Sequence, residues 1–476
     1  MVPVSESQGL VSESGAGGWI DEGVQGISNK MNPSGTPDEQ DIGDLISAHR
    51  YRLSITPPRQ SSFRVVAVLF YELSSSDDDG DGRRRRRSVV GTNDEPCTLS
   101  GSLCAERAAL LQLRFVPNLA RITRVVIATD SAQPISPGML CREFMSSHPA
   151  IDPATLEIVL GSAVCSRCGL DLSGPDVNSN SLDGLEGQCC SAPPATEDTR
   201  HDFRRTRTTL AELYPHPSPY VRLTAKEAEE VGSTYAQRTS LSIEDGTFIQ
   251  QLASRGRFAA DDVIEEDLDR DMHGGFYRSG IAKDESSSSA STKGNADEVF
   301  VLIDAGVGEE KEMPLMRRRQ RKLYLSKLDA ARYLLHLAQK ASQRDSRAAL
   351  HPLRYGAAVL FSDGSTSTAY QKKALEYGCS LDAVTQLAQA IEDKGGESGD
   401  PRPVLLLQTD QFGVLHAPFA PGRAYLSEHG YGDCEIAVHG APLKSVQGQG
   451  DVSIVLVAVE DLTPSAPDIW ANQDGE

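Results

Sequence analysis

The sequence has no long hydrophobic run. None of its segments holds the roughly 18 or more consecutive apolar residues of a membrane-spanning helix, so no membrane span is expected. Residues 1–40 are rich in Ser, Gly and Glu and lack the apolar core of a secretory signal. We therefore expect a cytoplasmic protein. A nuclear location is the alternative, because residues 77–87 (DDDGDGRRRRR) end in a run of arginines.

The chain also lacks an excess of positively charged residues. It has 476 residues, with 47 Lys and Arg against 67 Asp and Glu, and a formal net charge of −20. A protein whose main partner is a nucleic acid backbone needs a positive surface, so that class is disfavoured. The nine cysteines stand in a chain without an export signal, which predicts thiolate metal ligands or free thiols rather than a disulfide framework.

Composition and hydrophobic periodicity divide the chain into five segments. We expect a disordered segment over 1–44, a globular domain over 45–170, a low-complexity linker over 171–322 with a short ordered return near 210–224, a second globular domain over 323–462, and a tail over 463–476. Strands and helices alternate in the globular parts, which predicts an α/β fold with one sheet in each.

The two globular segments resemble each other. Residues 63–69 (FRVVAVL) align with 353–359 (LRYGAAV), 103–106 (LCAE) with 381–384 (LDAV), 129–130 (TD) with 409–410, and 136–138 (SPG) with 420–422 (APG). Four landmarks in the same order predict a duplicated domain.

The motif Cys104-Ala-Glu106 contains the main candidate residues for metal binding and catalysis. A thiolate at a helix N-terminus is stabilised by the helix dipole, which suits a metal ligand. A glutamate two residues later can enter the same pocket without ligating. Zinc deaminases use this arrangement, with zinc activating a water and the glutamate moving protons.

The first globular segment resembles the cytidine deaminases that act on free nucleosides. The match runs through Phe63-x-Val-x-Ala, Asn93-x-Glu95, residues 103–107 (LCAER), 128–131 (ATDS), 135–137 (ISP) and 141–143 (CRE). Asn93 and Glu95 stand 11 and 9 residues before Cys104, as the corresponding pair does in that family. The second segment resembles the C-terminal domain of two-domain bacterial and plant members.

The resemblance implies a three-layer α/β/α fold, duplicated, with long disordered insertions. It implies Cys104 and Cys141 as Zn²⁺ ligands and Glu106 as the proton shuttle. Asn93 and Glu95 would bind the ribose hydroxyls, and Phe63 would pack beside the pyrimidine. The implied reaction converts cytidine or deoxycytidine to uridine or deoxyuridine in pyrimidine salvage, in a homodimer that binds a nucleoside substrate.

One position departs from the family pattern Pro-Cys-x-x-Cys-Arg. Gly138 stands where the first cysteine of that pair is expected, and glycine has no side chain to ligate a metal. Catalytic zinc takes three protein ligands and a water. Cys165 or Cys168 is therefore a candidate third ligand, and Cys97 and His148 are further candidates. Cys165 and Cys168 could instead form a small zinc knuckle with Cys189 and Cys190, or be free loop thiols.

The second copy lacks the cysteines and the glutamate that would bind zinc and transfer protons. Asp382, Val384 and Tyr425 are expected at the first ligand, proton-shuttle and second cysteine positions, so this copy is predicted to be structural. Two functions remain open for the whole chain. The first is a zinc-dependent cytidine deaminase. The second is a catalytically inactive deaminase-fold protein that binds nucleosides or acts as a scaffold, because of Gly138.

Overall fold

The chain forms two compact units in the computed structural model. The first unit comprises Met1–Leu213 with Ser465–Glu476, and the second comprises Tyr214–Pro464. The structure describes residues 37–74, 87–96, 101–166, 168–173, 202–239, 257–264, 299–304, 320–394, 401–440, 443 and 454–465. Within these ranges, no helix combines the length and the apolar character needed to cross a membrane.

The first unit is built on a five-stranded sheet. Its elements are α1 (Pro37–Ser54), β1 (Val65–Leu73), β2 (Arg87–Thr92), α2 (Ala105–Gln112), β3 (Leu119–Thr129), α3 (Met139–Ser147), β4 (Glu157–Cys165), β5 (Phe203–Thr209) and α4 (Leu210–Leu213). The strand order is β2-β1-β3-β4-β5. Strands β3 and β4 are parallel, and the other neighbouring pairs are antiparallel.

Helices cover both faces of this sheet. Because successive strand residues point to opposite faces, Val66 and Val68 of β1 share one side, where they pack in a buried cluster with Leu45 of α1. The other side carries Gly91 of β2, where an added Cβ would lie 2.2 Å from the carbonyl oxygen of Ala105 in α2. Only glycine allows α2 to approach β2 this closely. The result is an α/β fold of three layers, as the sequence predicted.

Helix α1 corrects the prediction of a disordered segment over 1–44. Residues 37–44 belong to this helix, and Asp41 and Asp44 within it are buried at 2% and 3% exposure. Arg124 of β3 forms ion pairs with both carboxylates. The acidic residues indicated a solvated tail, but they are the groups that dock the helix on the sheet. Residues 1–36 lie outside the described residues.

Strand β5 corrects the predicted linker over 171–322. Its sequence is polar, but Phe203, Thr206 and Thr208 are buried on the sheet. Arg207 Nη2 donates to Asp41 Oδ2 at 2.7 Å, so an arginine of β5 is paired with α1. This edge strand extends the first unit to residue 213, beyond the predicted boundary at 170.

The second unit contains two sheets. Its elements are α5 (Ala225–Thr239), β6 (Arg257–Ile264), β7 (Val299–Asp304), β8 (Gln320–Ser326), α6 (Lys327–Ser342), β9 (Tyr355–Phe361), β10 (Thr366–Tyr370), α7 (Ala388–Lys394), β11 (Pro403–Asp410), β12 (Leu415–His416), α8 (Ala420–Glu428), β13 (Glu435–His439), β14 (Ile454–Ala458) and α9 (Val459–Leu462). Strands β6, β8 and β7 form a small antiparallel sheet that begins in the predicted linker and extends to Ser326, past the predicted boundary at 322. The larger sheet has the order β10-β9-β11-β13-β14, and β12 pairs with β11.

The sheet of the first unit and the larger sheet of the second have the same order of parallel and antiparallel strand pairs. In the second unit β11 and β13 are parallel, while β9 pairs antiparallel with β10 and β11, and β13 pairs antiparallel with β14. Each unit also has a buried arginine with equivalent partners. Arg142 Nε donates to the carbonyl of Pro137 and its Nη1 to that of Leu213. Arg423 makes the same two bonds to Pro418 and Leu462.

Candidate active site

Cys104 and Glu106 stand at the start of helix α2. Cys104 is the N-cap, with extended backbone angles (φ −75°, ψ 154°), and its side chain makes no capping hydrogen bond. Glu106 lies in the first turn and is only 3% exposed. The alanine- and leucine-rich sequence that follows favours a helix. The helix N-terminus therefore brings its partial positive charge close to a thiol and a carboxyl group.

Helix α3 brings Cys141 to the same place. Cys141 is fully buried in the first turn of α3, and Gly138 is the N-cap of that helix. The Cys141 thiol donates to Glu106 Oε2 at 3.4 Å. One ligand atom from each of Cys104, Glu106 and Cys141 lies within 4.8 Å of the other two. The structure thus joins three of the sequence-predicted residues in one cluster.

The cluster has strongly perturbed acidities. Hydrogen bonding with Cys141 and, to a smaller extent, the positive charge of Arg107 together lower the pKa of the Cys104 thiol to about 6, against the effect of burial. Interaction with Cys104 and burial raise the pKa of Cys141, whose single thiol proton can be donated to either Cys104 or Glu106. Burial raises the pKa of Glu106 to about 7, and the nearby Cys104 contributes in the same direction. The site therefore provides a thiolate and a carboxyl group able to exchange a proton near neutral pH.

The donor types at the cluster suit a zinc ion. Cys104 and Cys141 offer two thiols, which zinc accepts as ligands, and the Glu106 carboxyl group lies within reach of both. With Glu106 reserved for proton transfer, the two thiols are one ligand fewer than the three of a catalytic zinc site. Gly138 leaves room nearby, because an added Cβ would meet no atom within 4 Å. Its backbone angles (φ −61°, ψ 156°) are open to any residue, so no conformational need for glycine explains its presence.

The structure does not bring Cys165 or Cys168 to the cluster. Cys165 ends β4 and is buried with Ile42 and Leu53 of α1, and Cys168 packs against the same group. Their side chains thus lie on the α1 face of the sheet, whereas α2 covers the opposite face. The predicted third ligand is therefore not supplied by either thiol in this arrangement. Cys189 and Cys190, the other two residues of the alternative knuckle, lie outside the described residues.

The two other candidate ligands do not complete the cluster either. His148 is the C-cap of α3, at the end of that nine-residue helix opposite Gly138. Cys141 lies seven residues earlier, which at 1.5 Å per residue separates His148 from it by about 10 Å along the helix axis. Its Nδ1 accepts a hydrogen bond from the Ala150 N–H at 3.2 Å. Cys97 lies outside the described residues.

Asn93, Glu95 and Phe63 meet at the start of β1. Asn93 Nδ2 donates to the Phe63 carbonyl at 2.8 Å, and Asn93 Oδ1 accepts from the Val65 N–H at 2.8 Å. A short antiparallel bridge between Asp94 and Leu103 places this segment beside the residue before Cys104. The predicted substrate-binding residues are thus connected directly to the metal-ligand candidates.

Two residues with polar contacts at the site carried no predicted role. Ser61 gives both its N–H and its hydroxyl to the Glu95 carboxylate, at 2.8 and 2.9 Å. Arg107 places Nη2 3.6 Å from Cys104 Sγ and 2.8 Å from the Ser102 carbonyl oxygen. Arg107 belongs to the motif at 103–107, and Ser61 stands two positions before Phe63. Their closeness in sequence to the predicted site residues is the signal that could have identified them.

The second unit has no equivalent set of ligands among its described residues. Asp382 Oδ1 accepts the N–H groups of Val384 and Thr385, at 2.9 and 3.1 Å. The matched arginines Arg142 and Arg423 place Gly422, not the predicted Tyr425, at the position of Cys141. The sequence alignment paired 136–138 with 420–422 because both contain Pro-Gly. Pairing Arg142 with Arg423 instead moves this part of the alignment by three residues.

Comparisons with known proteins give structural likenesses only. No protein-family model and no curated protein matches the sequence. Similar solved structures include a cytidine deaminase from Mycobacterium leprae (21% identity, 28% of this chain and 97% of that one, TM-score 0.22). Others are cytidine deaminases from Mycobacterium tuberculosis (25%, 28% and 94%, TM-score 0.21) and Burkholderia pseudomallei (21%, 37% and 97%, TM-score 0.22). TM-scores this low give no support to a functional assignment, which must rest on the side chains.

Proposed function

We propose that the first unit is a zinc-dependent hydrolase that deaminates cytidine and deoxycytidine to uridine and deoxyuridine. The observation that carries this proposal is the Cys104–Glu106–Cys141 cluster at the starts of α2 and α3, in which Glu106 and Cys141 are buried and Cys104 is half-buried. Cys104 and Cys141 would hold the zinc. When bound, zinc supplies a Lewis acid that makes water nucleophilic at neutral pH.

Glu106 would carry the protons. Its carboxylate accepts a proton as water adds to C4 of the cytosine ring, and it returns that proton to the ring nitrogen N3. The proton of the new C4 hydroxyl group would then pass through Glu106 to the exocyclic amine, so that the C4–N bond breaks and ammonia leaves as the C4 carbonyl forms. Burial of the Glu106 carboxyl group raises its pKa, which favours its holding a proton between the two transfers.

The sugar would be held by Asn93 and Glu95, beside Phe63. Glu95 already accepts two donors from Ser61, the N–H at one carboxylate oxygen and the hydroxyl at the other, so it can accept from two hydroxyl groups at once. A ribose that binds there takes the place of these donors, and an analogue without the hydroxyls leaves the carboxylate to Ser61.

The second unit would be a degenerate copy with a structural role. The equivalent strand directions and the equivalent bonds of Arg142 and Arg423 support a duplication. We extend the proposal to a homodimer of four deaminase folds in the cytoplasm, with no nucleic acid partner. The nuclear alternative depends on the arginine run, most of which lies outside the described residues.

The test combines zinc content with cytidine turnover in one purified sample. About one zinc per chain and production of uridine are expected. Glu106→Gln should retain zinc and lose turnover by at least about a hundredfold, since general acid–base catalysis contributes this much. Glu157→Gln, at a half-exposed carboxylate of the same unit, is the matched control and should stay active.

Gly138 favours a second candidate function. A chain with two thiol ligands could bind nucleosides without catalysis, as an inactive deaminase-fold protein. Folded protein that binds cytidine but contains no zinc and forms no uridine would support this second function and exclude the first.

A further inference from the structure

A serine, a histidine and an aspartate lie in series in the second unit. Ser218 Oγ lies 3.1 Å from His416 Nδ1, and His416 Nε2 lies 3.6 Å from Asp410 Oδ2. Ser218 comes from the loop before α5, Asp410 ends β11, and His416 ends β12. In nucleophilic serine sites a base removes the hydroxyl proton and a carboxylate orients the base. The series has the residue types and the order that this chemistry needs.

The hydrogen bonds around Ser218 define where its proton can go. Ser218 Oγ accepts the N–H of Tyr220 at 3.2 Å, which leaves its own proton for His416 Nδ1. The neutral His416 ring then carries its proton on Nε2, on the side of Asp410. Nε2 has no hydrogen-bond partner among the described residues, and its 3.6 Å separation from Asp410 is longer than a hydrogen bond. Catalytic hydrogen bonds are often long in free enzymes and shorten when substrate binds.

Asp410 and His416 are held in place by their neighbours. Both residues are fully buried. The Asp410 carboxylate accepts hydrogen bonds from the Tyr220 hydroxyl at 2.7 Å and from two main-chain N–H groups just beyond β11 at 2.8 and 3.0 Å. The His416 ring packs edge to face against Tyr220 and Tyr355, at 5.0 and 5.1 Å between centroids. A base and its orienting carboxylate are thus fixed before any substrate binds.

Ser218 stands in a segment with little conformational freedom. Each ring of the flanking Pro217 and Pro219 fixes its own φ, and Pro219 also restricts Ser218. His216 has a φ of +48°, in the left-handed region that is unfavourable for residues other than glycine. The buried Arg423 stabilises this turn, because its Nη2 donates to the His216 carbonyl at 2.6 Å. Hydrolases present a nucleophilic serine on a strained turn of this kind.

Ser218 also lines a cavity of about 1020 Å³ that the proposed deamination does not use. The residue is half-buried, between the buried His416 and this space. The volume is at the upper end of the range for small-molecule sites. The charged residues of the lining are exposed residues of α5, and the remaining side chains are largely aliphatic: Leu223, Val231, Leu415, Ala417, Val438 and Leu443. Such a lining favours an uncharged substrate with an apolar chain.

We propose that the second unit is an esterase for uncharged esters with an apolar acyl chain, with Ser218 as nucleophile, His416 as general base and Asp410 as a positioning residue. Ser218 Oγ bonds to the acyl carbon as its proton passes to His416 Nδ1, and the alcohol leaves with that proton. Water then adds to the acyl-serine, and His416 takes a proton from the water and returns it to Ser218 Oγ as the carboxylic acid leaves. One ester and one water thus give one alcohol and one acid. The site does not depend on the cluster in the first unit being catalytic.

The probe is p-nitrophenyl butyrate, hydrolysed by the full-length protein. All samples carry Cys104→Ser, so that this thiol of the first unit cannot attack the ester. Multiple turnovers are expected, and Ser218→Ala and His416→Gln should each lower kcat at least about a hundredfold. The acetate ester should have a kcat/KM at least about fivefold lower, because two buried methylene groups are lost. A preference for acetate would contradict an apolar acyl site.

An alkyl fluorophosphonate gives a second measurement that needs no variant. An activated serine displaces its fluoride and keeps the phosphonyl group, so one label per chain at Ser218 is expected by peptide mass mapping. Ser380→Ala is the matched control for Ser218→Ala. Ser380 is also half-buried and accepts one main-chain N–H, that of Ala374 at 3.0 Å, but it lies outside the cavity. Its variant should keep full turnover and labelling.

Two results would overturn the proposal. One is folded protein that carries no label at Ser218, and the other is unchanged turnover in folded Ser218→Ala. If a variant fails to fold, the position of the label on the protein with Ser218 and His416 intact decides.

Discussion

Gly138 begins helix α3 three residues before Cys141, which places both positions at the same helix start. The backbone at Gly138 suits any residue, and an added Cβ would meet no atom within 4 Å. A cysteine at this position can therefore add a third thiolate to the cluster. We predict that Gly138→Cys raises zinc affinity at least about tenfold, or ~1.4 kcal/mol, measured by competition with a chromophoric chelator.

Gly138→Ser is the control for this substitution. Its side chain has nearly the same size, but a hydroxyl is a poor ligand for zinc compared with a thiolate. Zinc affinity should remain at the level of the unmodified protein. If serine and cysteine raise the affinity equally, the effect comes from the helix start and not from ligation.

His49 makes the first unit sensitive to acid. It is fully buried, its Nδ1 accepts from Arg52 Nε at 3.1 Å, and its Nε2 lies 2.9 Å from the Ser162 carbonyl oxygen. Burial and the Arg52 charge lower the pKa of His49 to about 3. The unfolded chain takes up this proton below about pH 6.5, so stability falls as the pH drops from 6.5 towards 3.

We predict that His49 alone removes about 2 kcal/mol of stability between pH 7 and pH 5. Hydrogen exchange of the β1 amides at the two pH values measures this loss in the first unit. In His49→Gln the loss should shrink by about that amount, because glutamine does not titrate. His429→Gln changes an exposed histidine and should leave the difference intact. An unchanged difference in His49→Gln would contradict the prediction.

At the scale of elements, α1 is held to the sheet by buried charge. Asp41 is 2% exposed and is paired with Arg124 of β3 and Arg207 of β5. Removing this carboxylate leaves arginines without their buried partner, which is strongly destabilising. We predict that Asp41→Ala destabilises the first unit by about 3–5 kcal/mol, measured by hydrogen exchange of α1 and β3.

Asp38 in the same helix is the matched control. Its side chain is 77% exposed and lies 3.5 Å from Arg205. Exposed ion pairs contribute about 0–1 kcal/mol, so Asp38→Ala should change stability little. Equal effects at the two positions would show that loss of helix charge matters more than the buried pairing.

These contacts also show what the sequence could predict. Local patterns identified β1, α2 and the Cys-Ala-Glu motif, because their strand and helix signals are carried by neighbouring residues. They missed the start of α1 and the whole of β5, whose acidic and basic residues indicate solvent when each segment is taken alone. Asp41 and Arg207 are 166 positions apart, and only the folded chain shows that their charges compensate each other.

At the scale of the whole molecule, the two units share an arrangement of strands but have different side chains at the starts of their helices. In the first unit Cys141 contacts Glu106 beside the open space at Gly138. In the second unit Gly422 of α8 lies beside Val384, and neither residue has a side chain that can bind a metal or carry a proton. The arrangement of strands therefore does not by itself make a metal site. The side chains at the starts of the helices determine whether a metal can bind.

The two glycines provide a comparison within one molecule. A Cβ on Gly422 would lie 2.8 Å from Val384 Cβ and 3.3 Å from Pro418 Cβ, whereas Gly138 has free space. We predict that Gly422→Cys destabilises the second unit by about 1–3 kcal/mol through overpacking and adds no bound zinc. Calorimetric unfolding and metal analysis of Gly422→Cys and Gly138→Cys, side by side, measure both effects. If Gly422→Cys bound zinc without loss of stability, the second unit would have to contain further ligands close to Val384, and its structural role would need revision.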